Sequence, residues 1–142
     1  MMKKTIHVDG LSIRETCLDA YNLLNDWNLV PEDRDDVLLS IDEALTNILE
    51  HGYNEKAGEV HPVTIEIIEG KEELYIVIAD FAKPFSLENT GMPNKDTYLQ
   101  SNLVGGFGVF IIKAIMNYVR VFQLFDENVL IMQKRIRHIP LT

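Results

Sequence analysis

Three residues on one predicted helix carry side chains that could do chemistry together. Glu43, Asn47 and His51 are spaced i, i+4 and i+8, so a helix would place them along one stripe. A carboxylate can accept a proton, and an amide oxygen is a hard ligand that suits Mg²⁺. The same stripe is also compatible with an ordinary solvent-facing surface, so the motif alone leaves both interpretations open.

Two further motifs lie later in the chain. Asp80 ends an otherwise hydrophobic predicted strand, where it could accept a hydrogen bond from an exocyclic amine such as that of adenine, or simply cap a turn. Gly105-Gly106-Phe107-Gly108 precedes a predicted helix, whose first-turn amides could bind a phosphate. This pattern is neither a dinucleotide fingerprint nor a Walker A loop, and a glycine-rich helix entry could equally serve packing.

The elements that would position these motifs follow from hydrophobic periodicity and turn residues. Helices are predicted to begin after Ser12, at Pro31 and at the glycine-rich motif, the second ending at Gly52 and the third near Asn117. Strands are predicted over residues 3–8, 63–69, 74–80, 119–125 and 129–136. This order predicts an α/β (α+β) two-layer sandwich, in which a mixed, mostly antiparallel sheet is covered on one face by three helices.

Composition limits the class of protein further. The 142 residues are 46% hydrophobic and 25% charged, which predicts a single globular domain over residues 1–142. The net charge of -9 argues against direct nucleic-acid binding. A lone cysteine, Cys17, excludes an internal disulfide. Neither a signal peptide nor a membrane-length apolar segment is evident, so a cytoplasmic protein without a membrane partner is expected.

The remaining segments receive plainer interpretations. Residues 83–104 have no sustained period, and a connection this long is typical of a functional lid or a mobile segment. The acidic run at 32–36 and the basic run at 134–138 are predicted to be solvated. Neither run is given a functional role.

In combination, the three motifs resemble the GHKL ATPases, the superfamily of the ATP-binding domains of gyrase, histidine kinases and mismatch-repair proteins. Within it, the chain looks most like the small serine-protein kinases that act as anti-sigma factors in bacterial partner switching. The residues that carry the resemblance cover nearly the whole chain: Glu43-Ala44-Leu45-Thr46-Asn47, His51-Gly52-Tyr53, Asp80-Phe81, Pro84-Phe85, and Gly105-Gly106-Phe107-Gly108-Val109 with Ile112 and Met116.

The resemblance implies the histidine-kinase-like ATPase fold, with ATP and Mg²⁺ as cofactors. Asn47 would hold Mg²⁺ against the phosphates, Glu43 would be the general base, and Asp80 would bind the adenine amino group. The phosphates would lie on Gly105-Gly106-Phe107-Gly108, beneath a lid formed by residues 83–104. His51 would pack rather than bind nucleotide.

One position departs from the family pattern. Ala82 stands where relatives have the glycine of an Asp-x-Gly motif beside the adenine, so its methyl group could crowd the ring. If the position needs a positive φ, alanine costs about 1 kcal/mol, which weakens binding by about tenfold. The last strand also lacks a threonine that relatives often have near the adenine.

The resemblance implies an ATP-dependent serine/threonine protein kinase. Its substrate would be a small antagonist protein of the anti-anti-sigma type, its other partner a sigma factor or similar effector, and its oligomeric state a homodimer. The alternative, supported mainly by Ala82, is a non-catalytic module, nucleotide-sensing or nucleotide-free, that sequesters a regulatory partner. A sensor histidine-kinase domain fits poorly because no helical dimerisation segment precedes the motifs, while an orphan ATPase serving a kinase complex stays open.

Overall fold

The computed structural model describes residues 2–7, 13–52, 62–82 and 106–140. The helices and strands of these residues occur in the predicted order. Their bounds are β1 (Met2–His7), α1 (Ile13–Asp26), α2 (Pro31–Thr46), a π-helical segment (Asn47–Gly52), β2 (Val63–Glu69), β3 (Glu73–Asp80), α3 (Gly106–Ile115), β4 (Tyr118–Leu124) and β5 (Glu127–Arg135). The predicted lid, 83–104, and Gly105 lie outside the described residues.

The strands form one sheet with the order β1-β2-β3-β5-β4. Every neighbouring pair of described strands is antiparallel. The predicted antiparallel character is therefore confirmed, whereas the prediction that the sheet is mixed is wrong for the described strands. β3 is central, with β2 on one side and β5 on the other. The register of β3 and β5 places Asp80 opposite Asn128, and both residues belong to the candidate site described below.

The sheet buries one face against the helices. Burial alternates along β3, where Leu74, Ile76 and Ile78 are fully inaccessible and the residues between them are half-buried. The same apolar cluster takes residues from the other elements, including Val63, Ile65, Ile67, Leu130 and Met132 of the sheet and Ala20, Leu24, Val37, Ile41, Leu45 and Ile112 of the helices. The predicted two-layer sandwich is therefore confirmed.

α2 is the central helix and packs against both α1 and α3. It begins at Pro31, whose fixed φ and missing N–H suit the first turn, and Glu32 and Asp33 face the positive end of the helix dipole. The prediction of one α-helix up to Gly52 is wrong in type, because π-helical hydrogen bonding begins at Asn47. π-helical turns occur frequently at functional sites, and this one starts at a predicted site residue.

α3 is shorter than predicted. It ends at Ile115 rather than near Asn117. Ile112 is buried while Lys113 is exposed, so the helix buries one face, and Met116, directly after its end, is buried as well. Among the described helices, none combines the length and the apolar character needed to cross a membrane.

Charged contacts tie the C-terminal segment to α2. Asp33 is only 4% exposed, and its Oδ2 accepts hydrogen bonds from the backbone N–H of Arg137 at 2.8 Å and from Arg137 Nε at 3.2 Å. Lys134 Nζ lies 3.0 Å from Asp36 Oδ2. The prediction that the acidic and basic runs are both solvated is wrong at these residues, because each run pairs with the other.

Asp33→Ala should destabilise the protein by about 1–3 kcal/mol, the cost of leaving buried donors without their acceptor. Burial by itself would raise the pKa of Asp33, but the hydrogen bonds and charge of Arg137 outweigh it and lower that pKa. The stabilising contribution of Asp33 is therefore present at pH values above its ordinary pKa of 3.8. It is lost as the pH falls through the lowered pKa of the folded state.

Urea unfolding at neutral and acidic pH measures this effect. Asp35→Ala is the matched control, because Asp35 lies in the same run with an exposed side chain. A neutral-pH stability of Asp33→Ala equal to that of the control would contradict the prediction.

Candidate nucleotide site

Glu43 lies half-buried on α2. Burial, together with the negative charge of the neighbouring Asp42, raises the pKa of Glu43 above its usual value. A carboxylate with a raised pKa holds a proton more strongly, which makes it a better general base once ionised. The environment of Glu43 thus suits proton abstraction.

Asn47 lies where α2 changes from α- to π-helical. Its backbone N–H is satisfied by the carbonyl groups of Glu43 and Ala44. Its side chain is different: Asn47 is 4% exposed, and Nδ2 is buried without a hydrogen-bond partner among the described residues. Buried polar groups are nearly always paired, so this amide calls for a partner beyond the described residues, and a bound ligand could supply it.

Asp80 ends β3 with its carboxylate held in place by two donors. Oδ1 accepts a hydrogen bond from the backbone N–H of Ala82 at 2.8 Å and another from Asn128 Nδ2 at 2.9 Å. Burial raises the pKa of Asp80, and these two hydrogen bonds partly oppose that rise. Both bonds fall on Oδ1, so among the described residues the lone pairs of Oδ2 are not taken up by a hydrogen bond and could serve a ligand.

Ala82 fits the turn after β3 without backbone strain. Among the described residues, the non-glycine positions with positive φ are Asn28 and Phe125, so Ala82 has a negative φ. It is 7% exposed and belongs to the buried apolar cluster. The expected strain of alanine at this position is therefore absent.

The predicted phosphate-binding segment forms the start of α3. Gly106, Phe107 and Gly108 make up the first helical turn, whose N–H groups have no partners within the helix. Gly105 is outside the described residues. The side chain of His51 is also undescribed, so its predicted packing stays a prediction.

The structure joins some of the predicted site residues directly. Asp80 and Ala82 share a hydrogen-bonded cluster with Asn128. Glu43 on α2 and Asn47 at the start of the π-helical segment lie one turn apart. α3 brings its glycine-rich first turn to the layer that contains α2, against which it packs. Across the described ranges, no hydrogen bond connects the Asp80 cluster to Glu43 or Asn47.

Asn128 is the site residue that sequence reasoning missed. The run Asp126-Glu127-Asn128 has the composition of a turn and predicts one, but the loop is Phe125-Asp126 and Asn128 already belongs to β5. Alternation was the available signal, because Asn128, Leu130 and Met132 share the inward-facing side of the strand.

The comparisons with known proteins agree with this fold. Residues 9–134 match the histidine kinase-like ATPase domain family, and the chain belongs to that family. A chain in the crystal structure of the SiaB-SiaC complex from Pseudomonas aeruginosa has a TM-score of 0.57 and 14% identity, covering 93% of this chain and 89% of that one. Together with the family match, this likeness confirms the histidine-kinase-like ATPase fold.

Relatives of similar sequence include serine-protein kinases. RsbW of Staphylococcus aureus (strain bovine RF122 / ET3-1) is 34% identical over 98 residues, 65% of this chain and 60% of that protein. RsbW of Oceanobacillus iheyensis is 33% identical over 95 residues, 63% of this chain and 58% of that protein. The predicted resemblance to this group of kinases is confirmed, over a region that spans about 60% of the length of these relatives.

Proposed function

We propose that this chain is an ATP-dependent serine/threonine protein kinase that acts as an anti-sigma-factor-type regulator in a partner-switching pathway. The observation that carries the proposal is the pair of Glu43 on α2 and Asn47 at the start of the π-helical segment. One is a half-buried carboxylate with a raised pKa, and the other is a buried amide without a partner among the described residues. A module that only binds nucleotide has no need of a base beside its metal ligand.

The described residues fit ATP and Mg²⁺. The orphaned atom of Asn47 is the donor Nδ2, which suits an acceptor such as a phosphate oxygen. The oxygen of the same amide is a hard ligand that could complete the shell of a Mg²⁺ ion bound to that phosphate. Oδ2 of Asp80 accepts no hydrogen bond from the described residues and could accept one from an amino group. The N–H groups of the first turn of α3, which have no partner within the helix, suit a phosphate.

In the proposed reaction ATP supplies the phosphoryl group, and the side chains divide the remaining work. Asp80 binds the adenine amino group, and Asn47 holds Mg²⁺. The amides of residues 105–108 hold the phosphates. Glu43 takes the proton of the attacking serine or threonine hydroxyl, and its raised pKa brings it closer to the working pH.

The proposed substrate is a small antagonist protein of the anti-anti-sigma type, and the second partner is a sigma factor or similar effector. The similarity to RsbW kinases supports this assignment, and the SiaB-SiaC complex contains a chain of the same fold together with a second protein. We further propose a single domain over residues 1–142, a homodimer and a cytoplasmic location.

The non-catalytic module is the competing function. Its main support is Ala82, which would weaken nucleotide binding if its backbone were strained. Ala82 has a negative φ and is buried, so backbone strain no longer supports this alternative. Release of the partner by nucleotide alone, without phosphorylation, would favour it.

Two measurements on the purified protein test the proposal. In a thermal-shift titration, ADP and ATP should raise the melting temperature, and Asn47→Ala should lose the Mg²⁺-dependent part of the shift. At one hundred times the dissociation constant, the expected stabilisation is about 2.7 kcal/mol, or several degrees.

With radiolabelled ATP, the protein should transfer phosphate to a cognate antagonist. Normal nucleotide binding without transfer to any candidate antagonist would contradict the kinase assignment.

A further inference from the structure

Asn128 joins the ends of two strands and the turn that follows β3. It lies opposite Asp80 in the register of β3 and β5, and both side chains are buried. Its Nδ2 donates one hydrogen bond to Asp80 Oδ1 at 2.9 Å and a second to the carbonyl oxygen of Ala82 at 2.8 Å. One amide nitrogen therefore holds both the carboxylate and the adjoining backbone.

The orientation of this amide is fixed by its neighbours. The Nδ2 group has two hydrogens, and both are used by acceptor oxygens, of Asp80 and of Ala82. Rotating the amide by half a turn would place its oxygen against those two oxygens, with no hydrogen between them. Since both donors of Nδ2 are occupied, Asn128 acts on Asp80 and Ala82 rather than donating from Nδ2 to a ligand.

We propose that Asn128 is a positioning residue for adenine recognition, which aims Asp80 Oδ2 at the exocyclic amino group of the base and fixes the turn at Ala82. The inference rests on the proposed function, because it deepens the adenine site assigned there. It also gives Ala82 a role: the carbonyl and the N–H of this residue are both held by the same polar cluster.

The cluster also controls the charge of Asp80. Burial raises the pKa of Asp80, and the donors of Asn128 and Ala82 lower it; in the described ranges no charged side chain acts on it. Removing the Asn128 donor would raise the pKa further, so Asp80 would be protonated over a wider acidic range. A protonated carboxyl presents a hydrogen to the adenine amino group, where an acceptor is required.

The test compares ADP with IDP, whose base carries an oxygen in place of the amino group, by isothermal titration calorimetry between pH 5 and 8. We expect the wild type to prefer ADP by at least about tenfold, the value of one charge-assisted hydrogen bond. Asn128→Ala should weaken ADP binding by about tenfold or more, change IDP binding by less than about threefold, and move the acidic limit of ADP binding to higher pH.

Two further variants make the result specific. Gln133→Ala removes another side-chain amide of β5, whose Nε2 donates to the Tyr75 hydroxyl at 3.1 Å, and should keep the ADP preference. Asn128→Asp nearly preserves shape but loses the donor at neutral pH. Its new carboxyl can donate when protonated, so its ADP affinity relative to wild type should recover as pH falls, even if Asn128→Ala does not fold.

The outcomes separate this inference from the proposed function. If the wild type prefers ADP and both Asn128 variants keep that preference and the wild-type pH profile, the positioning role is overturned while the nucleotide site stands. If the wild type binds neither nucleotide, the proposed function fails and the role of Asn128 fails with it. Loss of the preference in the Asn128 variants alone supports the inference.

Discussion

Asp80→Asn should abolish nucleotide binding while leaving the free protein at least as stable as the wild type. The new side chain keeps an oxygen that can accept the hydrogen bonds from Ala82 and Asn128. An NH₂ group then takes the position of Oδ2. This group and the adenine amino group are both hydrogen-bond donors, so no hydrogen bond can form between them. ADP at one hundred times the wild-type dissociation constant should stabilise the wild type by about 2.7 kcal/mol and the variant hardly at all.

The stability of the free variant follows from the charge of Asp80. Burial raises the pKa of this carboxyl in the folded state, so folding favours the protonated form of Asp80. The stability gained in this way is present at pH values below the ordinary pKa of 3.8 and is lost as the pH rises through the raised pKa. The amide does not titrate, and its advantage in melting temperature over the wild type should grow from acidic to neutral pH.

Melting curves with and without ADP, at several pH values, measure both effects. Glu73→Gln is a matched control, because it makes the same change at the opposite end of β3. It should keep the full ADP shift. An Asp80→Asn protein that is stabilised by ADP as strongly as the wild type would refute the adenine assignment.

Glu43→Gln should lower the rate of phosphate transfer by about 10²–10⁴-fold, the usual contribution of a general base. The substitution keeps the shape of the side chain and removes its ability to accept a proton. Nucleotide binding, measured by the ADP thermal shift, should stay near the wild-type value because the roles of Asn47 and Asp80 are untouched. Single-turnover transfer from radiolabelled ATP to the antagonist measures the rate.

Asp42→Asn provides the matched control, since Asp42 is the exposed neighbour of Glu43 on α2. It should retain transfer. Because the charge of Asp42 helps to raise the pKa of Glu43, its removal lowers that pKa and should move the acidic limb of the rate profile to lower pH. Full transfer by Glu43→Gln, or equal losses in both variants, would exclude Glu43 as the base.

Local patterns in the sequence predicted most of the elements because they depend on nearby residues. The bounds of β2 agree with the prediction, and those of β3 and the last two strands differ by one or two residues. Spacing placed Glu43 and Asn47 on one helix, and the strand pattern placed Asp80 at the end of β3. The π-helical turn at Asn47 was missed, because the apolar stripe of α2 looks the same in both helix types.

Contacts between distant residues lie beyond such patterns. Asp33 and Arg137 are 104 positions apart, and each run looked solvated until packing placed one against the other. Asn128 looked like part of a turn until the register of β3 and β5 placed it opposite Asp80, 48 positions earlier.

The elements, their order and the family to which the chain belongs were all readable from the sequence, because periodicity and motif spacing are properties of short segments. Which polar groups share a buried environment depended instead on tertiary packing. Strand register and helix packing set the distances between these polar groups, and burial then fixes which groups must be paired. The setting of Asp80, held by a residue from another strand, is therefore a product of the fold.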